Sequence, residues 1–223
     1  TIGRISTDLS QSSAHPDQDH PVYVQERYIT EAIYGKEMSA IVTGGDGAAP
    51  GTPFKGNFDG GNHTVDLNIN SELAGAGLFG YTDHAVISDL RLTGSVYGYS
   101  HVGALTGYAF GGSVSGVYSA AAVTSPGHDV GGVIGTFYER ASDYARSSVS
   151  RVFFAGEVKY SSAGVDLTDE ADVNLEWNEL GMVSDAIGVR FGGIVGSGIS
   201  LRLSSAFNTG SVTARYGAGG LVG

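Results

Sequence analysis

Groups able to do acid, base or metal chemistry are spread along this chain without an obvious focus. Its six histidines, His15, His20, His63, His84, His101 and His128, form neither an HExxH pair nor any other clustered ligand spacing. His63 sits in a "GNHT" turn, where a structural role fits better than ligation. Carboxylates are denser: between residues 160 and 190 stand Asp166, Asp169, Glu170, Asp172, Glu176, Glu179 and Asp185, beside the only tryptophan, Trp177. Within that stretch "DVNLEW" places Asp172, Asn174 and Glu176 at alternate positions, as at the start of a calcium loop. These three are therefore the metal candidates and Ca2+ the ion, although the glycine and distal glutamate of an EF-hand are missing. The same stretch also reads as a folded excursion with a short helix over "DEADVNLEWNEL", whose Val173, Trp177 and Leu180 recur at helix spacing. A third reading makes it a partner-contact tip anchored by Trp177, and acidic clusters are in general often simply solvated.

Enzymatic signatures are absent from the sequence. No GxSxG elbow or P-loop occurs, and the glycine-rich phrases lack the lysine and helix context that phosphate cradling needs. Two carboxylates on neighbouring repeats could form a glycosidase or lyase pair, but Asp59, Asp66, Asp83 and Asp89 fall in different parts of the repeat described below. The expectation is a protein that is not an enzyme and, Ca2+ aside, needs no cofactor.

Composition bounds the rest. The chain has 223 residues, 41% of them hydrophobic, with 36 glycines and 5 prolines. That is enough apolar surface for a core, and enough glycine for many tight turns between short strands. A formal charge of -11 disfavours nucleic acid. Cysteine is absent, so disulfides and thiolate metal sites are excluded. No apolar run approaches the roughly 18 residues of a membrane span, so no transmembrane segment is expected. The chain opens on "TIGRISTDLS", without the features of a signal peptide, and stops at "LVG", where another turn of the pattern is expected; we read it as part of a longer polypeptide.

That pattern is a glycine-closed apolar phrase. "GLFG" ends at Gly80, "GALTG" at Gly107, "GGVIG" at Gly135, "GGIVG" at Gly196 and "GGLVG" at Gly223, with spacings of 27, 28, 61 and 27. Seven positions on come Ile87, Val114 and Leu203, with Val149 seven later because of an insertion near residues 139–145. Leu90, Val117, Val152 and Ala206 then share a column, as do Val96, Val123, Val158 and Val212. Gly94, Gly156 and Gly210 mark a common bend, with Ala121 the exception. A second insertion covers 160–187. A β-rich period near 27 residues predicts an all-β fold, a right-handed parallel β-solenoid (β-helix) in which equivalent residues stack at about 4.8 Å. Residues 54–223 form the solenoid, and residues 1–53 a cap or degenerate first coils. The apolar pair between the glycines is expected to face inward, with glycine turning the corner.

"FKGNFDGGNHTVDLNI", followed by "GLFG", "ISDLRLTGSV" and repeated "GGxVG", resembles the GLUG-motif repeat family of bacterial surface and secreted proteins over roughly residues 54 to 223. The resemblance implies a solenoid module in large exported, adhesin-like or haemagglutinin-like proteins, hence an extracellular or cell-surface location, and it carries over no catalytic residue. Ala104 in "GALTG" and the long third copy depart from the pattern. Alternation points Arg91, Tyr118, Phe153 and Phe207 outward; Tyr118, Phe153 and Phe207 form either a strip for a glycan or surface-protein partner or a plain stacked ladder. The expected function is a structural or adhesive segment that extends and presents binding surfaces. The alternatives are a filament-forming subunit stacking end to end and a polysaccharide-active β-helix enzyme.

Overall fold

The computed structural model describes residues 5–6, 53–71, 74–139, 147–161 and 188–223. Among them there is no helix, and the strands pair almost entirely in parallel. This follows from the sequence: short Val-, Ile- and aromatic-rich runs are broken by glycine every few residues, too short for a helix but suited to a strand. Two insertions of the repeat, at 139–145 and 160–187, fall mostly outside the described residues, as do the acidic cluster, Trp177 and nearly all of residues 1–53.

Three sheets account for the strands. In the first, β1 (Ile5–Ser6) pairs antiparallel with β2 (Asn57–Asn70), and β2 runs parallel to β4 (Val86–Tyr97). The two halves of β4 are then continued separately: one by β7 (Ser113–Ser119), β11 (Ser148–Phe154) and β15 (Leu203–Asn208), the other by β8 (Ala122–Ser125), β12 (Glu157–Tyr160) and β16 (Ser211–Thr213). The second sheet orders β14 (Val195–Ile199), β10 (Ile134–Tyr138), β6 (Thr106–Phe110) and β3 (Phe79–Asp83). The third orders β17 (Ala218–Gly219), β13 (Phe191–Gly192), β9 (Val130–Gly131) and β5 (Val102–Gly103).

Register follows the columns of the sequence. Ile87 pairs with Val114, which pairs with Val149, which pairs with Leu203. Leu90, Val117, Val152 and Ala206 follow in the same order. Val96, Val123, Val158 and Val212 do so in the second branch. The 61-residue spacing therefore adds one row, not two, and its extra residues leave the register undisturbed. Val96, Val123 and Val158 are buried, while Val212, in the last row, is half-buried. The core runs along the stack through Phe58, Leu78, Leu90, Leu105, Ile134, Phe137, Phe154 and Phe191. Burying each such side chain contributes about 1.5–3 kcal/mol.

Gly94 has the positive φ expected of a bend, and Gly132 and Gly193 lie in bends between strands, but the glycines that close the phrase do a different job from the one expected. Gly80, Gly107, Gly135 and Gly196 do not have positive φ; among the described residues the left-handed positions are elsewhere. A Cβ on Gly135 would lie 2.5 Å from the Gly107 carbonyl oxygen and from the Val102 backbone nitrogen, and one on Gly196 would lie 2.3 Å from the Val130 nitrogen. Glycine is required here because the second and third sheets press backbone against backbone. The apolar pair does face inward: Leu78, Leu105, Val133 and Ile194, each just ahead of a strand of the second sheet, are fully buried.

Candidate functional site

Three corners recur from row to row, each built on residues of positive φ. One carries Asp89 (φ 53), Gly116 (66), Arg151 (52) and Ser205 (49). Another carries His84 (51), Gly111 (55) and Ser200 (55). The third lies just before the strands of the third sheet and carries His101 (51), Asp129 (58) and Arg190 (56). Left-handed backbone costs an ordinary residue about 1–2 kcal/mol, so the neighbouring rows must hold it in place. They do, because Val102 N–H donates to the Asp129 carbonyl and Val130 N–H to that of Arg190.

This third corner gathers four ionisable groups, His101, His128, Asp129 and Arg190. The Asp129 side chain is buried, with a relative exposure of 6%, and Arg190 grips it as a fork. Nε donates to Oδ1, and Nη2 donates to Oδ2 at 3.1 Å. His128 Nδ1 lies 3.0 Å and His101 Nδ1 3.3 Å from that same Oδ2. The imidazole rings of His101 and His128 meet edge to face at 5.1 Å, and Thr136 Oγ1 is 2.7 Å from His101 Nδ1. Burial alone would raise the Asp129 pKa, but the contacts with His128 and Arg190 outweigh it and hold the carboxyl down at about 2. His101, His128 and Asp129 each offer a ligand atom, and these atoms lie within 4.8 Å of one another.

A second polar group forms at the His84 corner. Lys55 Nζ and His84 Nδ1 lie 2.8 Å and 2.5 Å from the two oxygens of Asp83. Burial opposes ionisation of Asp83, yet the hydrogen bonds from Lys55 and His84 leave its pKa below the ordinary value. Beneath it the buried Glu139 accepts a hydrogen bond from Ser147 Oγ, which in turn accepts one from Gly112 N–H at 2.9 Å. His84 Nε2 is 3.9 Å from Glu139 Oε2. At this bend Ser147 is thus tied both to the buried Glu139 carboxylate and to the Gly112 main chain.

The aromatic column lies in register as the sequence suggests, with Arg91 opposite Tyr118, Tyr118 opposite Phe153 and Phe153 opposite Phe207. Tyr118 and Phe153 stack at 5.5 Å with ring planes 9° apart, and the Arg91 guanidinium caps Tyr118 at 5.8 Å. Their faces are thus spent on one another, and only edges point outward. Phe207, 62% exposed, is the member with surface to offer a partner. The other sequence candidates, Trp177, Asp172, Asn174 and Glu176, lie outside the described residues. Sequence reading missed the cluster at Asp129 because, apart from the adjacent His128 and Asp129, its members are one repeat or more apart, and the repeat period, which separates His101 from His128 by 27 positions, is what signals it.

Comparison with protein-family models, curated proteins and solved structures found no match to this chain.

Proposed function

We propose that this chain is a right-handed parallel β-solenoid segment of a bacterial surface or secreted protein of the GLUG-motif kind, serving to extend and to present contact surfaces rather than to turn over a substrate. The observation that carries this reading is the unbroken parallel register of Leu90, Val117, Val152 and Ala206 and of Val96, Val123, Val158 and Val212. Rows stabilised mainly by their neighbours lengthen by repetition, which suits a shaft. Right-handedness rests on the general rule for parallel crossovers. Phe207 is the described contact point, and a glycan or a cell-surface protein is the class of partner. The test is small-angle scattering on the chain together with a glycan array and a reducing-end release assay. An elongated particle that binds without releasing product is expected; a compact particle, or sugar release, would overturn the reading.

End-to-end self-association is a second reading, favoured by one observation. Strands β14, β15, β16 and β17 stand at the ends of their sheets; Ile199 and Phe207 are exposed on the row of β14 and β15, and Leu221 and Val222 on the segment that pairs with Val195 beyond it. Such edges are templates for further pairing. Sedimentation over a range of concentrations should then show association that Phe207→Lys weakens; a strictly monomeric chain at all concentrations would exclude it.

A further inference from the structure

We propose that His101 Nδ1, His128 Nδ1 and Asp129 Oδ2 form a three-ligand site for a divalent transition-metal ion of the zinc class, with Arg190 holding the carboxylate. The inference does not depend on the role proposed above.

Donor chemistry comes first. Two imidazole nitrogens and one carboxylate oxygen suit zinc and its neighbours and do not suit calcium, which takes oxygen ligands. Donors bound at about 2.0–2.2 Å around a tetrahedral ion stand roughly 3.3–3.5 Å apart. Here the two imidazole nitrogens lie 3.3 Å and 3.0 Å from Oδ2, within a few tenths of an ångström of that spacing, and all three residues offer ligand atoms within 4.8 Å of one another.

Arg190 is compatible with this use of Asp129. A carboxylate offers about four lone-pair directions. The guanidinium fork takes one on each oxygen, which leaves another on Oδ2, the oxygen that both imidazoles approach. A fixed outer partner of this kind orients a ligating carboxylate. Its positive charge also neutralises Asp129, so the ion's binding rests largely on the two imidazoles. Thr136, whose hydroxyl is 2.7 Å from His101 Nδ1, must release that nitrogen when the ion arrives, and Arg190 Nη2, 3.3 Å from His128 Nδ1, must release the other while keeping its hold on the carboxylate. Access exists, since the His101 and His128 side chains are 25% and 12% exposed. Three protein ligands leave a fourth position for water or another small donor. Because His101 belongs to one row and His128 and Asp129 to the next, the ion would tie successive rows together.

Cobalt(II), titrated into the intact chain, serves as the probe. Visible absorption of a tetrahedral cobalt centre, saturating at one equivalent and abolished by zinc, is the expected result. His101→Ala and His128→Ala should each weaken binding by about tenfold or more, whereas His63→Ala should leave it unchanged. Absence of the bands, or affinity in His101→Ala and His128→Ala unchanged from that of the parent chain, would overturn the site. Imidazole NMR of the unsubstituted chain guards against misfolded variants: zinc should move the His101 and His128 ring signals together, and movement of only the other histidines would overturn it equally.

Discussion

Asp129 and Arg190, 61 residues apart in the chain, lie on adjacent rows of one corner, where the guanidinium closes on both oxygens of the carboxylate. Both residues have left-handed backbone, and the pair spans the long insertion, so it ties the row after the excursion to the row before it. Removing one partner strands a buried charge. Arg190→Met should destabilise the chain by about 3–5 kcal/mol, and adding Asp129→Asn should recover much of the loss. Denaturant unfolding of the two variants measures this; a single substitution costing no more than the double would contradict the pairing.

The pH response follows from the same carboxyl. Asp129 has a folded-state pKa of about 2, below the roughly 3.9 of an unfolded aspartate. Its stabilising contribution is therefore complete above about pH 4 to 5 and is lost as pH falls toward 2; over that window it amounts to on the order of 2 kcal/mol. Asp83, also lowered, adds in the same direction. Thermal unfolding followed from pH 6 down to pH 2 should fall more steeply in the parent chain than in Asp129→Asn, and parallel curves would refute the linkage.

Core columns should be graded by row. Leu90 is fully buried, so Leu90→Ala is expected to cost about 2–5 kcal/mol. Val212, half-buried at the last row, should cost less than half as much when cut to alanine. Urea midpoints compare the two directly, and equal losses would mean that the last row is as enclosed as the row of Leu90.

Backbone conformation separates two kinds of glycine position. Gly135→Ala pushes a methyl group to 2.5 Å from three backbone atoms and should lose about 1–3 kcal/mol or more. Arg151, exposed and left-handed at φ 52, should instead gain up to about 1 kcal/mol as Arg151→Gly, in line with its register neighbour Gly116. Differential scanning of both variants gives the signs; a clear loss in Arg151→Gly would show that its side chain matters more than its strain.

The interior was legible from sequence for a physical reason. Side chains that must fill one narrow core are held to similar size, so Val96, Val123 and Val158 look alike, and their common spacing gives the register away. The corners were not legible. A left-handed turn asks only that the backbone be held, and here it is held by hydrogen bonds from neighbouring rows; His101, Asp129 and Arg190 share a conformation but no chemical likeness. The glycines that close the apolar phrase, expected to mark turns, mark instead the contact of two sheets, where the decisive quantity is the clearance to another strand's backbone, while Gly94, Gly111 and Gly116 do hold left-handed bends. The Asp129 cluster, assembled across rows, leaves no local spacing to recognise.

Since a left-handed corner is fixed by its main chain, the substituent it carries is free to vary without rerouting the strand. Histidine, aspartate and arginine at one corner, and aspartate, glycine, arginine and serine at another, are then settings on a rail whose pitch is about 4.8 Å. Natural variation or an engineer can write charge, ligand or label along that rail, one address per repeat, while the valine interior stays untouched.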